Sequence, residues 1–205
     1  MMSQRKIGIY GGSFDPIHIA HLILAECCRE SLQLDEVRFV PANISPLKQS
    51  GKPLDNKHRI EMLRLAIGGN DRFVLDTREL DRAGVSYTID TVQSLAHEFP
   101  DAELILLMGA DSLQDIAKWK SPELLLSMVT VGAIARGGIG DPPWQALRPF
   151  VSEDRWNLIQ RKVTAPILEV SSSNLRQRIR DGLSIRYQLP ACVEAYIKYH
   201  HLYSE

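Results

Sequence analysis

The chain has only three cysteines, and what they exclude is more informative than what they offer. Cys27 and Cys28 are adjacent and Cys192 is remote, so they form neither a paired disulfide framework nor a metal-ligand spacing. They read as reduced packing thiols. A long apolar run is missing as well. Met1-Met2-Ser3-Gln4-Arg5-Lys6 is followed by only a few apolar residues before glycine, too short for a signal-peptide core and far too short for a membrane span. A cytoplasmic protein without a membrane partner is therefore expected. Nor does either sign of charge dominate: 24 Lys+Arg against 25 Asp+Glu leave a formal net charge of -1. That disfavours long nucleic acid as a partner and leaves room for a local basic cleft that takes small anions. Internal repeats and low-complexity tracts are also lacking.

What is present is an ordinary globular balance, 44% apolar and 24% charged over 205 residues, sized for a single domain spanning 1–205 with one core. Ile7-Gly8-Ile9-Tyr10, Val37 to Val40, Phe73 to Leu75, Glu103 to Met108 and Val129 to Ala135 are short apolar runs, several of them ended by glycine or proline. They read as buried parallel strands, with Ile167 to Val170 as a last short one. Helical spacing of apolar residues runs from Ala20 to Leu32 and from Lys57 to Ile67, the latter with Ile60, Leu63 and Ile67 on one face. Thr88 and Asp111 are each placed to cap a further helix. Asn43 to Asn56 reads as a loop, Leu80 to Ser86 as a polar connection, and Asp141 to Lys162 as a mostly helical surface excursion. Ser171 opens a basic helix through Arg180, and a terminal helix covers Val193 to Tyr199 after Pro190. The fold class is α/β, a doubly wound and mostly parallel sheet with helices on both faces. Ser171 to Glu205 forms a small C-terminal helical part. Ligands of such sheets gather outside the carboxyl ends of the strands.

Two segments there carry chemistry. Gly11-Gly12-Ser13-Phe14-Asp15 follows a buried strand directly, giving backbone that can approach a phosphate and free amides at the coming helix start. It has neither the GxGxxG of dinucleotide dehydrogenases nor the GxxxxGK[ST] of P-loop enzymes. His18 and His21 lie on one helical face just beyond it. With no carboxylate or thiol at a third-ligand spacing, phosphate contact is the better reading than metal. Far along the chain, Ser171-Ser172-Ser173-Asn174-Leu175-Arg176 places hydroxyls and amides at a helix N-terminus with a guanidinium one turn in. Either segment alone is compatible with plain turn or cap formation. Together they describe two phosphate cradles.

The run Gly11-Gly12-Ser13-Phe14-Asp15-Pro16-Ile17-His18-Ile19-Ala20-His21 resembles the GG[TS]FDPxHxGH signature of nucleotidylyltransferases. Ser171 to Arg176 resembles their SSTxIR signature. Between them Ser86-Tyr87-Thr88, Gly109-Ala110-Asp111-Ser112-Leu113 and Lys118-Trp119 are similar to the pattern of bacterial nicotinate-nucleotide adenylyltransferases, as is the ending Tyr196-Ile197 with Leu202-Tyr203. The resemblance spans nearly the whole chain and is weakest over Asp141 to Lys162. It implies a Rossmann-like nucleotidyltransferase fold and transfer of AMP from ATP to nicotinate mononucleotide in NAD biosynthesis, with Mg2+ on the triphosphate. By the same resemblance, His18, His21 and Arg176 are the catalytic group. Gly11, Gly12, Ser13, Phe14, Asp15, Gly109, Asp111, Ser172 and Ser173 bind ATP, and Lys48, Tyr87, Thr88, Trp119 and Arg136 serve the acceptor. Homo-oligomerisation is compatible with this reading.

The chain departs from the family pattern at four places. Ala20 stands where HxGH has glycine, Ser45-Pro46-Leu47-Lys48 where a PPHK loop is usual, Arg136-Gly137-Gly138 where an Arg-Pro-Gly turn is frequent, and Ser13 where threonine is commoner. Adenylyl transfer to nicotinamide mononucleotide or to phosphopantetheine shares both phosphate motifs. A nucleotide-binding sensor without catalysis is the alternative outside the enzymes, suggested by Ala20 and Leu47.

Overall fold

A computed structural model describes residues 4–46, 53–136 and 141–204, with residues 135 and 136 described by backbone alone. Among these residues the strands are β1 (Lys6–Gly12), β2 (Glu36–Pro41), β3 (Phe73–Leu75), β4 (Glu103–Gly109), β5 (Thr130–Arg136) and β6 (Gln160–Ala165). They form one sheet in the order β3-β2-β1-β4-β5-β6, with every pairing parallel. The chain works outward from β1 to β3 and then returns to the other side of β1 at β4. The strand order reverses there, and a crevice opens beyond the carboxyl ends of β1 and β4.

Both faces of the sheet are buried, which is why its strands read as continuous apolar runs rather than as alternation. Ile7 and Ile9 pack with Leu104, Leu106, Val131 and Ala133 on one face, while Tyr10, Ile105, Leu107 and Ile134 point to the other. The second face is covered by α1 (Ile19–Leu32), α2 (Asn56–Ile67), α8 (Ser172–Arg180) and α9 (Ala191–Tyr199) through Ala25, Cys28, Leu63, Leu175 and Val193. The first is covered by α4 (Thr88–Glu98), α5 (Ala110–Gln114) and α6 (Pro122–Met128) through Val92, Leu95, Leu113 and Leu125. Burial pushes the Cys28 thiol up to about 12, so it behaves as a packing group. Among the described residues no helix is long and apolar enough to cross a membrane.

The structure corrects the sequence reading in several places. The last strand is β6, not Ile167 to Val170, where Ile167 is half exposed. β6 lies at the sheet edge with Val163 and Ala165 buried and Lys162 and Thr164 exposed; its charged outward residues break the apolar run that would have marked it. Asp141 to Lys162 is indeed largely helical before β6, with a 3₁₀ segment Trp144–Phe150 and α7 (Glu153–Ile159). It is no mere surface excursion, because Leu147 and Ile159 are buried and Trp144 and Trp156 pack on the core. The polar connection Leu80 to Ser86 begins within a short helix, α3 (Arg78–Arg82). Thr88 and Asp111 are not caps: Tyr87 and Gly109 hold those positions, and each predicted cap sits inside the first turn. On α2, Arg59 occupies the buried face with Met62, Leu63 and Ile67, whereas Ile60 is only half-buried.

Candidate active site

An open cleft of about 1480 Å³ lies beyond the carboxyl ends of β1 and β4. The first segment reaches it with Gly11, Gly12, Ser13, Phe14, Asp15, His18 and His21. The second reaches it with Ser172, Ser173 and Arg176. Gly109 and Asp111 form its wall after β4, and Tyr87, Thr88 and Trp119 line it as well. Of the residues singled out in the sequence, Lys48 lies outside the described residues. Arg136 ends β5, and its backbone alone is described.

The glycines of the first turn differ in why they are bare. A Cβ on Gly12 would fall 3.0 Å from the ring of Phe14, which folds back over the strand end. A Cβ on Gly11 would meet nothing within 4 Å; packing does not demand glycine there. Phe14 itself has a φ of 46°, in the left-handed region that bulky residues rarely occupy. That turn sends its ring into the core against Tyr10 and Phe39. The backbone of Ser13 to Asp15 is then held by two guanidiniums. Arg59, fully buried, donates to the carbonyls of Ser13 and Ala42, both at 2.8 Å, and also to the Leu54 carbonyl and Asn56 Oδ1. Burial lowers its pKa, and among the described residues no carboxylate bonds to it. Arg176 donates to the carbonyl of Asp15 at 2.6 Å.

Asp15 is buried, and its carboxylate accepts from Tyr203 Oη at 2.6 Å and from the Leu54 amide at 3.4 Å. Its side chain therefore ties the turn to the C-terminal segment and the 53–55 loop. Burial, with the neighbouring Asp15 carboxylate, pushes the Tyr203 hydroxyl well up, so it stays a donor.

His18 and His21 stack with ring centroids 3.7 Å apart. The His18 amide donates to His21 Nδ1 at 3.2 Å. In the neutral ring the proton must then sit on Nε2, which makes His21 a donor there. His18 is 5% exposed, and burial lowers its pKa to about 4. Its Nδ1 is buried without a hydrogen-bond partner among the described residues. Such an atom is costly unless a ligand completes it.

At the second cradle, Ser171 caps α8 by accepting from the Asn174 amide at 3.2 Å. The Ser172 hydroxyl donates to the Pro16 carbonyl at 2.9 Å, and Arg176 also reaches Ser173 Oγ at 3.4 Å. The two cradles are thus joined at two points, through Ser172 and Arg176. Among the described residues no group of three His, Cys, Asp or Glu side chains could hold a metal ion.

A model of the cytidylyltransferase-like family matches residues 9–178. A Rhodopirellula baltica protein named "Probable nicotinate-nucleotide adenylyltransferase" is 42% identical over 98% of this chain and 94% of its own. A Bacillus licheniformis protein of the same name is 41% identical over 98% of this chain and 99% of its own. The chain belongs to the nicotinate-nucleotide adenylyltransferase family. The fold of this adenylyltransferase is also that of Plasmodium falciparum nicotinic acid mononucleotide adenylyltransferase complexed with NaAD, with a TM-score of 0.74, 21% identity and 97% of each chain covered.

The adenylyltransferase cleft also contains residues that the sequence reading did not single out. Lys120 bonds to Asp90 at 3.1 Å and lies 4.5 Å from the Tyr87 ring centre. Arg180 follows Arg176 by one turn of α8 on the same side. Glu79 and Thr91 form a buried polar group with Ser86 of the Ser86-Tyr87-Thr88 run. The one signal available in the sequence was at Arg59, a charged residue on the apolar face of an amphipathic helix. The Tyr203–Asp15 bond spans 188 residues, and the partner of Glu79 lies on another helix, so neither contact leaves a local pattern.

Proposed function

We propose that this enzyme moves AMP from ATP to nicotinate mononucleotide, giving deamido-NAD and pyrophosphate. The observation that carries the proposal is the joining of the two phosphate cradles in one cleft, Arg176 to Asp15 and Ser172 to Pro16, with Trp119 and Thr88 in the same cleft. Family membership supports the same reading.

The mononucleotide phosphate is already an anion and needs no strong base. Catalysis then rests on in-line positioning and on donors aimed at charge that develops at the α-phosphate and on departing pyrophosphate. His21 supplies Nε2–H, and neutral His18 supplies its ring Nδ1, which has no partner among the described residues. Ser173, the first-turn amides of α8 and Arg176 hold the β and γ end of the triphosphate. Gly11 and Gly12 let the chain approach the phosphates closely, Ser13 to Asp15 complete that turn, and Gly109 and Asp111 receive the adenosine. Thr88, with Tyr87, bonds the nicotinate carboxylate while Trp119 stacks on its ring; Lys48 and Arg136 stand on the acceptor side. A Mg2+ bound with ATP would be held mainly by the substrate's phosphate oxygens and would neutralise charge on the triphosphate.

The test is an initial-rate assay of pyrophosphate release with ATP and, separately, nicotinate mononucleotide, nicotinamide mononucleotide and phosphopantetheine. Turnover with nicotinate mononucleotide that His21→Ala abolishes is the expected result. Turnover confined to phosphopantetheine, or tight ATP binding without product, overturns it.

A further inference from the structure

Beside the acceptor end of the cleft lies a carboxylate for which the adenylyl transfer has no direct use. Glu79 belongs to the short helix α3, is 7% exposed, and forms no ion pair among the described residues. Thr91 Oγ1, on α4 and 1% exposed, donates to its Oε1 at 2.6 Å. The Ser86 side chain lies close enough to favour the ionised form of Glu79. Ser86 is bonded onward: its Oγ accepts from the Asn43 amide at 2.9 Å, and its own amide donates to the Ile44 carbonyl at 2.9 Å. Asn43 Nδ2 in turn donates to the Gly84 carbonyl at 2.9 Å, and Ile44 and Val85 form a parallel bridge. Glu79 thus holds the first turn of α4 through Thr91 and lies beside Ser86, whose own bonds fix the loop after β2 against the segment leading into Tyr87 and Thr88.

From this network we infer that Glu79 is a positioning residue for the acceptor: it orients the Ser86 and Thr91 hydroxyls and thereby places Tyr87 and Thr88 at the acceptor end of the cleft. The inference rests on the reading that these two residues face the mononucleotide. An ionised carboxylate only accepts. Thr91 therefore aims its proton at Glu79, and a Ser86 lone pair faces the Asn43 amide. A protonated or amide side chain brings a donor of its own beside the two hydroxyls, so their orientations are no longer fixed by an all-acceptor partner. Burial raises the Glu79 pKa, Arg82 opposes the rise and Asp76 adds to it. α4 and the 84–86 segment present it with the hydroxyls of Thr91 and Ser86. Protonation of Glu79 therefore acts on the network as Glu79→Gln does.

The experiment compares wild type, Glu79→Gln, Thr91→Val and Thr91→Ser by steady-state kinetics, varying ATP and nicotinate mononucleotide separately between pH 5 and 8. Glu79→Gln is expected to raise KM for the mononucleotide about tenfold while KM for ATP and kcat stay within about threefold. Thr91→Val should move KM the same way, and Thr91→Ser should restore it, so the result does not depend on one variant folding. Because the mononucleotide phosphate titrates near pH 6 with either enzyme, the ratio of mutant to wild-type KM is the informative quantity. It should shrink toward one as the pH falls. A pH-independent ratio, equal rises in both KM values, or a loss confined to kcat overturns the inference. A wild-type enzyme that turns over ATP only with another acceptor overturns the acceptor reading itself, and is recognised before any variant is made.

Discussion

The guanidinium of Arg176 donates to the main-chain carbonyl of Asp15 across 161 residues of sequence, at 2.6 Å. One side chain therefore braces the first phosphate turn from the helix that forms the second. Removing it should damage both at once. Arg176→Ala is expected to lower kcat/KM for ATP by at least about a hundredfold, the scale of a lost charge-stabilising donor. Arg176→Lys, which keeps the charge and loses the planar fork, should recover only part of that. Steady-state kinetics at saturating mononucleotide measure the effect, and an alanine variant within threefold of wild type contradicts it.

The glycines make a separable pair. Gly11→Ala adds a methyl that meets nothing within 4 Å in the protein, so its Tm should match wild type while KM for ATP rises, because the space belongs to the ligand. Gly132→Ala is the converse: its Cβ falls 2.9 Å from Leu107 Cδ2 and 3.0 Å from Leu32 Cδ1. That overpacking should cost about 1–3 kcal/mol of stability with KM little changed. Thermal melts alongside KM determinations distinguish the two cases.

Acid should weaken the fold through His18. Its pKa drops from 6.5 in the unfolded chain to about 4 on burial. Between those values the unfolded chain binds a proton that the folded one does not, so stability falls as pH falls through this window and is unaffected above it. The full difference is roughly 3 kcal/mol. Urea unfolding of wild type and His18→Gln at pH 7.5, 5.5 and 4.5 should show the wild type losing more. Parallel curves would remove His18 as the cause.

Arg59→Met should be among the most damaging single changes outside the cleft's own donors. It strands the carbonyls of Ser13, Ala42 and Leu54 with no replacement donor. A loss of about 3 kcal/mol or more in denaturant unfolding is expected. KM for ATP should rise in whatever fraction still folds, because the Ser13 carbonyl is released.

The parts of this molecule that depend on short-range pattern were legible in the sequence. β1, β2, β4 and β5 are apolar enough to stand out, and the parallel arrangement followed from their alternation with helices. The site was legible where its chemistry is contiguous, as in Gly11 to His21 and Ser171 to Arg176. β6 was misplaced because Lys162 and Thr164 face solvent on an edge strand and Arg161 interrupts its inward side, and the apolar run at Ile167 stood out instead. The supports of the site were hidden for a different reason. Arg59 and Tyr203 act through bonds to Ser13 and Asp15, far away in sequence, and only the charge of Arg59 on an apolar helix face hints at one of them.

The bond between Tyr203 and Asp15 spans 188 residues, and it makes the first phosphate turn a long-range structure rather than a local one. Its buried carboxylate accepts from the Leu54 amide and from a hydroxyl almost the whole described chain away. The glycine turn is therefore complete only when the segment around residue 203 has docked against it.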